Sequence, residues 1–278
     1  MNEIEEDLID FLNKIKFEFV IIQKSFEKEE EQFRENVKVI KTANFERAIK
    51  ENDVRILFIS KEIEYKSKEC VNVKIVDNEY ERFVFDYDFY AIRTKKLEDA
   101  IYFPYFIDFD FFSNYKNRFK KYEKIKRITL LTSGIDITLV SFLERFAKLR
   151  EKIKNLQILV YKASNPSKLN FINFIDRNLS KKERADLYYF SDLIISLEDR
   201  KKEVLEAMSM KKVVVTNDGF LNTPQLSFEN FENKILRLID FGEYEVNKII
   251  AQEYSIENSA KIFEKELENF IEVHQKIL

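Results

Sequence analysis

Short apolar runs alternate with charged, helix-like stretches along most of this chain. In the second half, runs of strand length lie at Arg127–Thr132, Leu156–Tyr161 and Phe171–Ile175. Between Thr138 and Ile153, apolar residues recur at the spacing of one helix face. Strands that alternate with helices predict an α/β protein with doubly wound parallel sheets. The other elements predicted here are helices at Ser180–Tyr189, Asp199–Met210, Phe228–Ile239, Glu243–Gln252 and Ile256–Lys276, and strands at Asp192–Ser196 and Lys212–Thr216.

The first hundred residues predict a smaller α/β layer of about five strands. Helical spacing or charge predicts helices at Asn2–Lys16, Ser25–Glu35 and Phe45–Lys50. Strands are predicted at Phe17–Ile22, Val37–Lys41, Arg55–Ser60, Cys70–Val76, Phe83–Phe85 and Tyr90–Arg93.

Composition excludes several classes of function. Apolar residues make up 45% of the 278, enough for a substantial core, and the net charge of −3 argues against the basic surface that nucleic-acid binding requires. One cysteine, Cys70, and one histidine, His274, exclude a disulfide framework or a Cys/His zinc site within the chain. No apolar run approaches the ~20 residues of a membrane span, and the start of the chain is acidic, so we expect a cytoplasmic protein.

The stretch Ser180–Gly219 carries the most specific motif. It reads SKKERADLYYFSDLIISLEDRKKEVLEAMSMKKVVVTNDG, with Glu198 and Glu206 eight residues apart and EAM beginning at the second glutamate. This resembles the family 4 (group 1) glycosyltransferases, in which two glutamates separated by seven residues lead into an EAM sequence before a buried strand. The resemblance implies a GT-B fold of two doubly wound parallel-sheet domains.

Other segments resemble the family in the same order. They are the hinge-like Ile101–Phe112, the first strand and helix of the C-terminal domain at Lys126–Leu149, and the terminal helix Tyr254–Val273. The resemblance implies a reduced acceptor-side domain at 1–104, a nucleotide-sugar-binding domain at 105–255, and a helix at 256–278 that packs back on the N-terminal domain. The family's N-terminal domain is far longer than this one.

By resemblance, Glu206 holds the ribose of the donor and Glu198 contacts the hydroxyls of its sugar. A carboxylate accepts short, strong hydrogen bonds from vicinal hydroxyls, which suits both roles. Without the motif, Glu206 is interpreted as an exposed helical glutamate. Glu198 has an alternative too, as a carboxylate that favours a helix N-terminus through the macrodipole.

The segments that bind phosphate in the family depart from its pattern. Both glycines between the two glutamates are replaced, and Arg200 or Lys201 is the substitute cation for the diphosphate, with a solvated charge run as the alternative. The loop with Ser133 and Gly134 lacks the family's Arg and Lys, although Gly134 permits close approach of the backbone. Lys162, after the next strand, is the nearest replacement, against an ordinary surface lysine. Main-chain atoms near Ile175 and Arg177 are predicted to read the base.

The function implied is glycosyl transfer from a nucleotide sugar, with retention and without a metal or cofactor, to an acceptor that is a glycan, a lipid or a protein. The alternative is a catalytically degenerate GT-B protein that acts as a binding or accessory subunit, since glycines and cations are missing. A nucleotide-sugar epimerase is less favoured, because His274 is the only histidine. The basic run Lys116–Lys126 leaves peripheral contact with anionic lipid open, against an exposed connector.

Overall fold

The structure is a computed structural model that describes residues 6–24, 29–34, 36–60, 63–76, 87–93, 100–119, 125–132, 137–162, 172–197, 200–225, 231–240 and 245–274. The chain divides into two units. Unit 1 contains Met1–Phe106 and Ile256–Leu278, and unit 2 contains Ile107–Ser255.

The elements alternate along the chain as the hydrophobic pattern predicts. In unit 1 they are α1 (Glu6–Leu12), β1 (Phe19–Lys24), β2 (Glu29–Arg34), β3 (Val37–Thr42), α2 (Phe45–Glu51), β4 (Ile56–Ile59), β5 (Val71–Val76), β6 (Phe89–Ile92) and β7 (Ile101–Tyr102). In unit 2 they are α3 (Phe109–Ser113), β8 (Lys126–Leu131), α4 (Ile137–Lys152), β9 (Leu156–Tyr161), β10 (Ile172–Ile175), α5 (Lys181–Phe190), β11 (Leu193–Ser196), α6 (Lys201–Ser209), β12 (Val214–Thr216), α7 (Phe231–Asp240) and α8 (Glu245–Gln252). The helix α9 (Ile256–His274) returns to unit 1.

Unit 2 is built on a five-stranded parallel sheet in the order β10-β9-β8-β11-β12. Alternate residues of its strands, such as Ile128 and Leu130 of β8, are fully buried in one core with Phe146 of α4 and Phe231 of α7. The rings of these two phenylalanines lie 5.3 Å apart, edge to face. The period of two along the strands therefore assigns one whole face of the sheet to α4 and α7.

Unit 1 contains a four-stranded parallel sheet, β4-β5-β6-β7, and a three-stranded sheet, β1-β3-β2. Its core is rich in phenylalanine, and Phe263 of α9 lies against the rings of Phe103, Phe58 and Phe11 at centroid distances of 4.8, 5.6 and 5.8 Å. The helix α9 thus completes the core of unit 1. None of the described helices combines the length and the apolar character needed to cross a membrane.

One predicted element is wrong. The charged run Ser25–Glu35 was expected to be helical, but its described part, Glu29–Arg34, is the strand β2, antiparallel to β3. Backbone pairing with the neighbouring strand overrides the helix propensity of Glu and Gln, which is worth only a few tenths of a kcal/mol per residue. The strand predicted at Phe83–Phe85 lies outside the described residues.

Candidate functional site

In the sheet of unit 2, the order of the strands reverses between β8 and β11. The chain runs outward from β8 through β9 to β10, and then returns to the other side of β8 for β11 and β12. In parallel sheets, the crevice at the carboxyl ends of the strands beside such a switch point is where ligands bind. Thr132 and Lys162 directly follow β8 and β9, and Arg200 follows β11 by a short connection. These three residues define the switch edge.

Arg200 lies at the switch edge. It is not the solvated charge that the alternative interpretation of its segment predicts. Only 8% of the residue is exposed, and its Nη1 donates a 3.3 Å hydrogen bond to the carbonyl of Thr132. Its guanidinium is 5.4 Å from the ring of Tyr161, and Nη2 forms an ion pair with Glu203 on the first turn of α6. The cation is therefore held beside Thr132, the residue that follows β8.

Lys162 approaches the same aromatic ring from the end of β9. Its Nζ lies 5.8 Å from the centroid of the Tyr161 ring. The backbone of Lys162 has a φ of +67°, in the left-handed region, and its N–H donates to the carbonyl of Ile175 at 2.8 Å. A residue with a side chain in that region carries about 1–3 kcal/mol of strain, and such strain clusters at functional sites.

Tyr161 lies beside both cations, and no motif in the sequence identifies it. The residue is buried, and its hydroxyl accepts a 3.3 Å hydrogen bond from the N–H of Leu179. Burial raises the pKa of the Tyr161 hydroxyl above its ordinary value. The ring is thus a neutral surface that both Arg200 and Lys162 approach.

Glu206 occupies a different setting from the one expected of an open ligand site. The residue is 0% exposed, and Arg184 of α5 donates to both oxygens of its carboxylate, from Nε at 2.8 Å and from Nη2 at 2.7 Å. The Tyr188 hydroxyl donates a third hydrogen bond at 3.0 Å. Burial raises the pKa of the Glu206 carboxyl, and the guanidinium of Arg184 acts against that rise.

Contact between Glu206 and a ribose therefore requires a change in this arrangement. In the described conformation three donors occupy the carboxylate, and no part of the residue reaches solvent. Arg184 was not identified from the sequence, because 22 residues separate it from Glu206 and no spacing rule connects them.

The residues predicted near the base lie at the end of β10. Ile175 is the last residue of the strand, and Arg177 forms an ion pair at 2.5 Å with Glu183 on the first turn of α5. Glu183 also accepts from the backbone N–H and the hydroxyl of Ser180, which completes the capping box of α5. The ion pair with Glu183 neutralises Arg177 and holds its guanidinium close to the start of α5.

Three predicted site residues, Glu198, Ser133 and Gly134, lie outside the described residues. Within the described ranges, no group of three or more His, Cys, Asp or Glu side chains is placed to hold a metal ion. The expectation that the donor needs no metal or cofactor stays a prediction.

Sequence comparison and structure comparison give different outcomes. No protein family matches the chain, and no curated protein matches it in sequence. Among solved structures, a trehalose-6-phosphate synthase studied for glycosyl transfer with retention matches with a TM-score of 0.64 at 10% identity, covering 97% of this chain and 98% of that one. An E. coli structure described as bound with UDP-2-fluoro glucose matches with a TM-score of 0.61 at 8% identity, covering 96% of this chain and 97% of that one.

A third match, to TarM, has a TM-score of 0.47 at 14% identity and covers 77% of this chain. The chain spans only about half of TarM, 51% of its length, and a TM-score this low does not establish a shared fold. The two stronger matches show the fold. The chain is an α/β protein with parallel sheets, as the hydrophobic pattern predicted, and it has the GT-B fold of glycosyltransferases, as the family resemblance implied.

Proposed function

We propose that this protein is a glycosyltransferase that uses a nucleotide-sugar donor and binds the donor's diphosphate at the switch edge of unit 2. The observation that carries the proposal is the convergence of Arg200 and Lys162 on the ring of Tyr161 at that edge. The fold supports it, because two solved structures that share this fold are described in terms of glycosyl transfer and of a bound UDP-sugar.

The two cations have the charge that the reaction requires. When the bond between the sugar and the diphosphate breaks, the bonding electrons and negative charge remain on the leaving oxygen, and fixed positive groups stabilise that charge. Arg200 offers a planar fork that matches a phosphate, and Lys162 offers a point charge. Arg200 is held by Glu203 and by the carbonyl of Thr132, so its position is set before a ligand arrives.

The remaining roles follow the family resemblance and are part of the proposal. Glu198 contacts the sugar hydroxyls, Ser133 and Gly134 approach the phosphates, and main-chain atoms near Ile175 and Arg177 read the base. Glu206 binds the ribose after its carboxylate turns away from Arg184. The acceptor hydroxyl oxygen forms a bond to the sugar with retention and without a metal, the bond between sugar and diphosphate breaks, and the hydroxyl proton leaves with the nucleoside diphosphate.

A specific observation also favours the second candidate, a GT-B protein that binds partners without catalysis. The carboxylate of Glu206 is fully buried and engaged by Arg184 and Tyr188, as in a purely structural role. Turnover distinguishes the two candidates. Transfer or hydrolysis from a panel of UDP-, GDP- and ADP-sugars, abolished by Glu198→Ala, excludes the non-catalytic protein, and binding without any turnover supports it.

The test of the proposed site is calorimetric titration with UDP, GDP, ADP and their sugar conjugates. Lys162→Ala removes a cation at the carboxyl end of β9, whereas Lys154→Ala removes an exposed one just before the amino end of the same strand. A charged hydrogen bond is worth about 1.5–3 kcal/mol, so we expect Lys162→Ala to weaken binding roughly 10- to 150-fold and Lys154→Ala to leave it unchanged. Equal affinities of both variants, or no nucleotide binding, contradict the proposal.

A further inference from the structure

A second feature of unit 2 lies on the sheet face opposite α4 and α7. It is a groove of about 550 Å³, and we call it the Arg127 groove. Leu159 of β9 and Ile175 of β10 line it from the sheet, and Leu187 and Phe190 line it from α5. Phe119 also lines it, with 75% of its surface exposed.

Two hydrogen bonds and a ring contact hold Arg127 in this groove. Its backbone N–H donates to the carboxylate of Asp192 at 2.8 Å, and its Nε donates to the amide oxygen of Gln157 at 3.0 Å. The guanidinium lies 5.5 Å from the centroid of the Phe190 ring. Among the described residues, neither Nη nitrogen of Arg127 has a hydrogen bond or an ion pair.

The two carboxylates that line the groove are already engaged. Glu183 accepts from Arg177 and from Ser180. Asp186 accepts from the hydroxyl of Tyr115 and from the amide of Asn117. Arg177 neutralises Glu183, whereas Asp186 keeps its charge and is held by two neutral donors. Of the two cations that line the groove, Arg177 is paired with Glu183, and Arg127 has Nη donors that are open to an added anion.

We propose that the Arg127 groove binds a small amphiphile, with an anionic carboxylate or phosphate head on Arg127 and an apolar chain along Leu159 and Leu187. A charge-assisted hydrogen bond is stronger between apolar walls than in water, which suits a head group on a pre-positioned guanidinium. The volume lies within the range of about 300–1,000 Å³ that small-molecule sites occupy. The chain of the ligand also covers the exposed ring of Phe119.

This site is separate from the switch edge. Arg127 and Gln157 are the second residues of β8 and β9, whereas Lys162 follows the carboxyl end of β9. At about 3.3 Å per residue, the four residues from Gln157 to Tyr161 place roughly 13 Å between the two levels. The head of the amphiphile and the diphosphate of the nucleotide therefore use different cations. Ile175 borders both sites, since it lines the groove and is proposed to meet the base through main-chain atoms.

The probe is decyl phosphate, titrated by calorimetry below its micelle concentration, beside decanol and inorganic phosphate. We expect decyl phosphate to bind at least about tenfold more tightly than either fragment, the scale of one charge-assisted hydrogen bond. Arg127→Gln should lose about that factor, and Arg237→Gln, on exposed surface of α7, should lose nothing.

Phe119→Ala is a second variant that leaves the fold intact, because the ring is mostly exposed. It should weaken the binding of decyl phosphate and leave inorganic phosphate and nucleotide titrations unchanged. Three outcomes overturn the proposal: no binding of decyl phosphate, decanol as tight as decyl phosphate, or the same affinity in Arg127→Gln. Binding only to anionic lipid vesicles also overturns it, in favour of a membrane-contact surface.

Discussion

Arg184 and Glu206 form a bidentate ion pair between α5 and α6, with nitrogen–oxygen distances of 2.8 and 2.7 Å. The carboxylate is fully buried and the guanidinium nearly so, with 15% of its side chain exposed. Burying a charge costs free energy unless a partner of opposite charge compensates it. Arg184 and Glu206 therefore each offset the cost of burying the other. The residue predicted to hold a ribose is thus also a link between two helices.

Glu206→Ala should destabilise unit 2 strongly, because it leaves the Arg184 guanidinium buried and uncompensated. Removing one partner of a buried pair costs about 3–5 kcal/mol. Urea unfolding measures the loss, and Glu144→Ala, at an exposed position of α4, is the matched control that should change stability by less than about 0.5 kcal/mol.

The triple variant Arg184→Met, Tyr188→Phe, Glu206→Leu should recover most of that loss. Apolar residues of similar volume replace buried ion pairs at little cost, and Tyr188→Phe removes the buried hydroxyl that would otherwise lose its acceptor. Unfolding of Glu206→Ala at the same urea concentration as the original protein contradicts the structural role of the pair. In that case nucleotide titration of Glu206→Ala becomes a direct test of ribose binding.

The contribution of Glu183 to the free energy of unfolding should decrease at acid pH. Hydrogen bonds from Arg177, and then from the backbone and hydroxyl of Ser180, lower the pKa of Glu183 from 4.5 to about 2. Because the folded pKa lies below the unfolded one, this contribution is complete above pH 4.5 and is lost as the pH falls towards 2.

Melting temperatures of the original protein and Glu183→Gln, measured between pH 7 and pH 2, check this prediction. The difference between them should stay constant down to about pH 4.5 and then shrink. A difference that is unchanged at pH 2 shows that the charge of Glu183 contributes nothing.

Phe263→Ala should destabilise unit 1 and spare unit 2. The ring is buried among Phe103, Phe58 and Phe11, and its removal leaves a cavity that costs about 3–5 kcal/mol. Hydrogen exchange should rise in β5 and β6 and stay unchanged in β8 and β9. Lys261→Ala, exposed on the same helix, is the control. Equal loss of protection in both units contradicts the assignment of α9 to unit 1.

Arg200→Gln should separate phosphate recognition from base recognition. If the guanidinium contacts the diphosphate, affinity for UDP, GDP or ADP falls by about 1.5–3 kcal/mol while the corresponding nucleoside binds as before. Calorimetry with each pair of ligands measures both, and Arg237→Gln controls for the loss of one positive charge. Equal weakening of nucleotide and nucleoside assigns Arg200 to the architecture of α6 alone.

Local chemistry explains which elements the sequence predicted well. Ser180 and Glu183 lie three residues apart and satisfy each other's backbone donors, so the start of α5 is encoded in four consecutive residues. The strand Leu156–Tyr161 has its predicted bounds, because its burial alternates with the period of a half-covered strand. The order of such elements was enough to predict the fold class.

Contacts between residues distant in sequence were decided only by the tertiary structure. The strand β2 takes its conformation from pairing with β3, against the helix propensity of its own residues. Arg184 meets Glu206 across 22 positions, and Arg200 reaches the carbonyl of Thr132 across 68. Hydrophobic periodicity and capping act within a few residues, so the sequence by itself determined elements and their order. The partner of a buried charge depends on which helices the sheet brings together, and that is a property of the folded chain alone.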